Sequence, residues 1–235
     1  MGAEQREGEG MMASAGTDEA QCRRCGTCCR KGGPALHTAD RQLVMNDIIS
    51  LGQLVTVRQG EPAFNPVTGR VEATPTEFVK VAGKNGNWEC IFFDPAAASC
   101  TIHDNRPLEC RLLFCRNTEA VEAITGRDLL QRRDLIPDDH PLTALITDHE
   151  ELCPATKGQS LLIELLAGSK GNDALDRFTL LLQQDLDLRA AAVARFHLSL
   201  GEELFFFGRP LFRIFHHPRL QVSWHGMTLA LQLLP

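Results

Sequence analysis

The chain of 235 residues contains no tyrosine, and aromatic residues make up only 6% of it. No apolar run approaches the ~20 residues needed to cross a bilayer. Its first residues lack the basic segment and apolar stretch that direct secretion. These absences argue against a membrane partner and predict a cytoplasmic location. A long basic cluster is missing too: the densest, Arg127 to Arg133, is broken by Asp128, and the net charge is -6. Nucleic-acid binding needs a concentrated basic face, so that class of partner is excluded as well. There is no G-x-x-x-x-G-K-[ST], G-x-G-x-x-G or G-x-S-x-G, which removes the common phosphate, dinucleotide and hydrolase signatures. A protein partner or substrate stays open, and the oligomeric state is not set by the sequence.

What is abundant is cysteine. The chain has nine, of which four fall within eight residues, at Cys22, Cys25, Cys28 and Cys29. Four more follow at Cys90, Cys100, Cys110 and Cys115. With 43% apolar residues the chain can build a core without crosslinks,, and in a reducing compartment thiols stay free for metal rather than forming a disulfide framework. A C-x2-C-x2-C run lets backbone wrap one centre, because a two-residue gap returns successive sulfurs to a common point while amides donate to them. Thiolates are soft ligands, so zinc or iron–sulfur fits and calcium or magnesium does not. Eight thiols suit two zinc sites of four thiolates each, or one 4Fe–4S cluster with spare ligands. Cys28 and Cys29, read as an extended segment, diverge and serve different centres or different irons. Three neighbours complete the candidate site: His103, three residues after Cys100, as a nitrogen ligand or hydrogen-bond donor, and Arg106 and Arg111, which flank Cys110 and offset thiolate charge. The segment His149-Glu150-Glu151-Leu152-Cys153 is one residue from a zinc-helix motif, yet reads more simply as a helix end with a buried thiol before Pro154.

The pattern predicts an α+β fold: a loop-rich cysteine-cluster metal domain with a small hairpin, then a mostly helical C-terminal half. Residues 1–21, rich in Gly, Glu, Ala and Ser, form a disordered leader. Residues 22–116 form the metal-binding region, and 117–235 a helical region packed on it as one domain. Thr38 is expected to cap a helix running to about Ser50. Phe78–Val81 and Trp88–Phe93 are expected to pair across Asn85-Gly86, setting Cys90 on a rigid strand with Trp88 in the core. Cys100 lies on an adjoining extended segment, and Pro107 opens a short helix carrying Cys110. Further helices are expected over Asn117–Ile124, Pro141–Leu152, Ser160–Leu166 and Asn172–His197, and strands over Leu211–Phe215, Leu220–Trp224 and Thr228–Leu233.

Cys22-x2-Cys25-x2-Cys28-Cys29, Cys90-Ile-Phe-Phe-Asp, Cys100-Thr-Ile-His and Arg106-Pro107-Leu-Glu-Cys110-Arg111 together resemble the zinc- or iron-chelating cysteine-cluster family, CxxCxxCC or YkgJ type, related to flagellin lysine N-methylase. The resemblance covers Cys22 to Arg116. It implies metal chelation through Cys22, Cys25, Cys28, Cys29, Cys90, Cys100 and Cys110, with Cys115 not carried over. His103 stands where the family usually has tyrosine. The resemblance also raises a protein-modifying enzyme as the alternative function, although no loop for S-adenosylmethionine is recognisable.

Overall fold

The computed structural model describes residue 22 and residues 24–84, 86–168 and 171–234. The predicted leader, residues 1–21, lies outside them. Among the described residues the fold is mixed α+β, with helices and four small two-stranded antiparallel sheets. In order come α1 (Thr27–Lys31), α2 (Arg41–Met45), β1 (Leu54–Val57), β2 (Pro62–Asn65), β3 (Arg70–Ala73), β4 (Phe78–Val81), β5 (Phe93–Asp94), β6 (Ser99–Cys100), α3 (Leu108–Leu112) and α4 (Glu119–Glu122). The C-terminal half follows with α5 (Thr143–Leu152), α6 (Ala155–Leu166), α7 (Gly171–Phe196), α8 (Leu200–Phe207), α9 (Leu211–Ile214), β7 (Leu220–His225) and β8 (Thr228–Leu233). Among the described residues no helix is long and apolar enough to cross a membrane.

Several local expectations are revised. β4 pairs with β1, in the register Leu54↔Val81 to Val57↔Phe78, and not with the segment after Asn85-Gly86. A turn does form there, with Asn87 N–H donating to the Lys84 carbonyl, though residue 85 itself is not among those described. The buried run Leu54-Val55-Thr56-Val57, three of whose residues are β-branched, offers β4 a better partner than Trp88-Glu89 does,. Trp88 is 56% exposed, its ring lying between the Lys80 ammonium and the Arg209 guanidinium. The helix expected from Thr38 to Ser50 is a 3-10 turn followed by α2, stopping at Met45 because Asp47 takes a left-handed φ of 56°. The Asn117–Ile124 helix shortens to α4. Leu211–Phe215 forms α9 instead of a strand, since Pro210 precedes it and suits a helix start,. Pro154 ends α5 and also opens α6 five residues earlier than expected.

Two apolar cores result. The first gathers Leu36, Val44, Ile49, Leu54, Val79, Val81, Phe92 and Phe93 with Phe205, Phe206 and Phe207 of α8. The second joins α6, α7, α9 and the β7–β8 hairpin through Leu161, Leu165, Phe178, Leu182, Leu211 and Leu229. Phe178 and Leu182 belong to the inward stripe read from the sequence.

A buried polar layer sits where the two cores meet. On α5, His149 lies between Ile146 of the first core and Cys153 of the second; on α7, Asp185 and Arg189 lie between Leu182 and Ala192. His149 Nε2 donates to Asp185 Oδ1 at 2.7 Å, and its Nδ1 faces Arg58 Nη1 at 3.3 Å. Asp185 also accepts from Arg189 Nε at 3.0 Å and, through Oδ2, from the Leu211 amide at 2.9 Å. Arg58, at the end of β1, is fully buried. His149 is therefore a structural hydrogen-bond donor, and the near-match to a zinc helix holds no metal geometry.

Burial pushes His149 down to about 4, helped by the nearby Arg58 charge and opposed by Asp185. Burial alone would raise Asp185, but the His149 hydrogen bond and the Arg189 and Arg58 guanidiniums hold its carboxyl well below the usual range. Both groups accept protons more readily in the unfolded chain, so acid favours unfolding. The His149 penalty is absent above pH 6.5 and grows as the pH falls toward 4, reaching on the order of 3 kcal/mol,. Urea midpoints measured from pH 7 to 4.5 should fall steeply for the wild type and less steeply for His149→Gln; equal slopes would remove His149 from this role.

Candidate metal centre

Two segments far apart in sequence supply the thiols. In the first, Arg24 and Gly26 adopt left-handed φ values of 55° and 74°, so the chain reverses twice between Cys22 and Cys28. The Arg24 amide donates to Cys22 Sγ at 3.4 Å, as expected of a loop wrapped about sulfur. Gly26 must lack a side chain, because a β-carbon there would overlap the Phe93 ring. Arg30 locks the turn, donating to the Cys25 carbonyl at 3.3 Å and lying 4.8 Å over the Phe93 ring. Cys28 and Cys29 sit on α1, not on extended chain. Neighbours on a helix are offset by about 100°, so two adjacent sulfurs can meet different parts of one cavity.

The second segment is held by short local devices. Cys90 lies in an isolated bridge with Gly83 rather than on a strand. Its amide donates to the Cys29 carbonyl at 2.8 Å, which closes the two segments on each other. Cys100 on β6 pairs with Phe93 of β5. Cys110 is on α3, for which Pro107 is the N-cap. The buried Asp40 holds that helix, its Oδ1 accepting from the Leu108 amide at 2.8 Å and its Oδ2 from the His37 amide at 3.0 Å. Glu109 Oε2 accepts from the Ala35 amide at 2.9 Å. Neither acid was singled out from sequence, although His37-x-x-Asp40 has the spacing of a reciprocal helix cap.

Eight cysteines, Cys22, Cys25, Cys28, Cys29, Cys90, Cys100, Cys110 and Cys115, line one cavity of about 340 Å³. The ninth, Cys153, is fully buried in the second core. His103 and Arg106 share the cavity wall, and His103 Nε2 and Arg106 Nε are buried there without a hydrogen-bond partner. Arg111 lines a neighbouring cleft with Cys22 and Cys110, and its Nη1 donates to the Arg106 carbonyl at 2.7 Å. Among the described residues no group of three or more His, Cys, Asp or Glu stands close enough to hold a metal ion.

The thiols are electrostatically tied together. Burial, then the charges of Cys28, Cys90 and Cys100, pushes Cys29 up to about 12. Burial followed by Cys90, Cys28, Cys100 and Cys29 raises Cys110. Burial also raises Cys90 and Cys100. Cys25 moves the other way, because the Thr27 hydroxyl, 3.4 Å from its sulfur, stabilises the thiolate. A wall of soft sulfurs whose negative charges repel in a half-buried, apolar-walled cavity is chemically suited to a cation that neutralises them.

Replacing Asp40 by Ala strands the His37 and Leu108 amides. The expected cost is on the order of 2 kcal/mol, from a lost cap and unpaired buried donors. Thermal unfolding should show this as a lowered midpoint, with bound metal retained less well than in the wild type; an unchanged midpoint would mean that the α3 cap is dispensable.

No curated protein and no solved structure matches the chain. Residues 21–125, which hold all eight cavity cysteines and extend through α4, match the family model CxxCxxCC, described as "Putative zinc- or iron-chelating domain".

Proposed function

We propose that the clustered thiolates bind a metal centre, as an iron–sulfur cluster of the 4Fe–4S type in preference to zinc, in a redox or accessory role. The observation that carries this is the convergence of eight thiols on one cavity from segments more than sixty residues apart. A cluster brings its own irons and sulfides, so it bridges thiolates across a wider gap than a single ion can. Zinc is the second reading, favoured by a thiol count sufficient for closed four-thiolate sites.

When bound, an iron–sulfur centre supplies one-electron redox chemistry. The chain's own residues do the rest. Cys29, Cys90 and Cys100 present thiolates from the wall packed on the first core, Cys110 presents one from α3, and Phe92 and Phe93 keep the core-side wall apolar. His103 and Arg106, which line this cavity and whose Nε2 and Nε are buried without a hydrogen-bond partner, supply hydrogen bonds or positive charge to the sulfurs, and the Arg24 amide donates to Cys22,.

Purification without oxygen, followed by a visible spectrum and analysis for iron, sulfide and zinc, tests the reading. A brown protein with stoichiometric iron and sulfide is expected, and Cys110→Ser should lose at least half of the bound metal. Colourless protein with stoichiometric zinc would sink the iron reading, and absence of any tightly bound metal would sink both.

A further inference from the structure

The β7–β8 hairpin has one covered edge and one open edge. The Leu234 amide donates to the Arg219 carbonyl at 2.7 Å. In the register that runs from Leu220↔Leu233 to His225↔Thr228, the backbone groups that bond across the ribbon are therefore those of Gln221, Ser223 and His225,. By the same alternation Leu220, Val222 and Trp224 point their N–H and C=O groups away from β8. The corresponding edge of β8 is covered, since the Leu229 amide donates to Gln183 Oε1 of α7 at 2.7 Å. On β7 the Leu220 amide is taken by the His217 carbonyl at 2.8 Å. Among the described residues no bond reaches the Val222 and Trp224 amides or carbonyls from beyond the ribbon. Their side chains are 36% and 47% exposed, the Trp224 ring meeting Phe212 of α9 edge-on at 5.5 Å. Gln221, Ser223 and His225 occupy the opposite face and are exposed. Strand edges are commonly guarded by charge, proline or a bulge. Here the register is regular, and Leu220 to Leu234 contains no Asp, Glu, Lys, Arg or Pro.

We infer that β7 is the contact through which two copies of this chain pair, antiparallel about a two-fold axis at Ser223, into one sheet of order β8-β7-β7-β8. The edge is self-complementary in that register. Val222 of one copy stands opposite Trp224 of the other, and each of the two symmetry-related pairs exchanges two backbone bonds. Those bonds take up the groups that the single chain leaves open. Each pair also sets a β-branched side chain against an aromatic one, a favourable cross-strand combination. On the other face Ser223 meets Ser223 and Gln221 meets His225, so no like charges are opposed. Charge favours a second copy as the occupant: each chain carries -6, and two such chains approach most easily where the surface holds no charge. With six residues a side, the strand pair falls below the ~1,200 Å² of a standard interface, so the dimer is weak and depends on concentration,. It uses no residue of the thiol cavity.

Sedimentation velocity of the full chain, under a reductant that prevents crosslinks through its nine cysteines, should show monomer giving way to dimer over about a hundredfold rise in concentration. Hydrogen exchange at the two ends of that range should slow at the Val222 and Trp224 amides and stay unchanged at Gln221 and Ser223, which are already bonded within the hairpin. Ser223→Lys, at an exposed position, sets two cations face to face and should weaken the dimer about fivefold or more. Val222→Pro removes a donor that β8 does not use, and should weaken it about tenfold or more while leaving the circular dichroism that of the wild type. A chain that stays monomeric throughout would overturn the proposal and leave the edge to a strand of some other protein. A dimer that both variants form as readily as the wild type would overturn it too, by placing the contact on another surface. Should either variant unfold, the wild-type exchange decides alone: a dimer that forms without slowing the Val222 and Trp224 amides does not use this edge.

Discussion

Asp185 is the group on which the remainder of the molecule depends. It is buried, charged and saturated, accepting from His149, Arg189 and the amide that starts α9. A buried charge of this kind is tolerable only when its partners are complete, and removal of one partner is costly because the other is left unpaired. The partners come from α5, α7 and α9, while Arg58 brings the end of β1 to His149. The same layer thus fixes the relation of the helical half to β1, to its partner β4, and through β4 to the wall of the thiol cavity, where Lys80 and Val81 lie. Such a layer gives directional contacts where apolar surfaces alone would allow the two cores to slide.

The cavity itself is built from weak local devices rather than regular secondary structure. Two glycine-like turns, a five-residue helix, a two-residue strand pair and one capped helix each place one or two sulfurs. None of these elements would be stable alone, since short helices and two-residue ladders lack enough bonds to offset ordering. They hold because Phe93 is shared: it pairs with Cys100, lies beneath Gly26 and receives the Arg30 guanidinium. One buried ring therefore sets the position of both thiol segments.

Much of this was legible in the chain. The thiol spacing announced a metal-type site, Pro107 announced the Cys110 helix, and apolar periodicity announced α5 and α7. What escaped was whatever depends on distant partners. The choice of β1 over the Trp88 segment as the mate of β4 rests on burial that no local window reveals. Phe205, Phe206 and Phe207, all three buried, close α8, whose start is capped by Ser199 with Glu202. Cys28-Cys29 suggested divergence because an extended backbone was assumed, and the helical turn α1 changes the angle between them. Asp40 was invisible because its value lies in the amide of Leu108, 68 residues away.

The hydrogen bond from the Cys90 amide to the Cys29 carbonyl also has a kinetic meaning. Those residues are 61 positions apart (90 minus 29), and closing a loop of that length costs roughly 4 kcal/mol beyond a fixed term,. A single backbone hydrogen bond contributes only about 1 kcal/mol. That one bond leaves the N-terminal thiol segment reliant on its side-chain contacts, the Phe93 ring beneath Gly26 and the Arg30 guanidinium over that ring, to stay docked, and makes it the part of the domain that opens most readily.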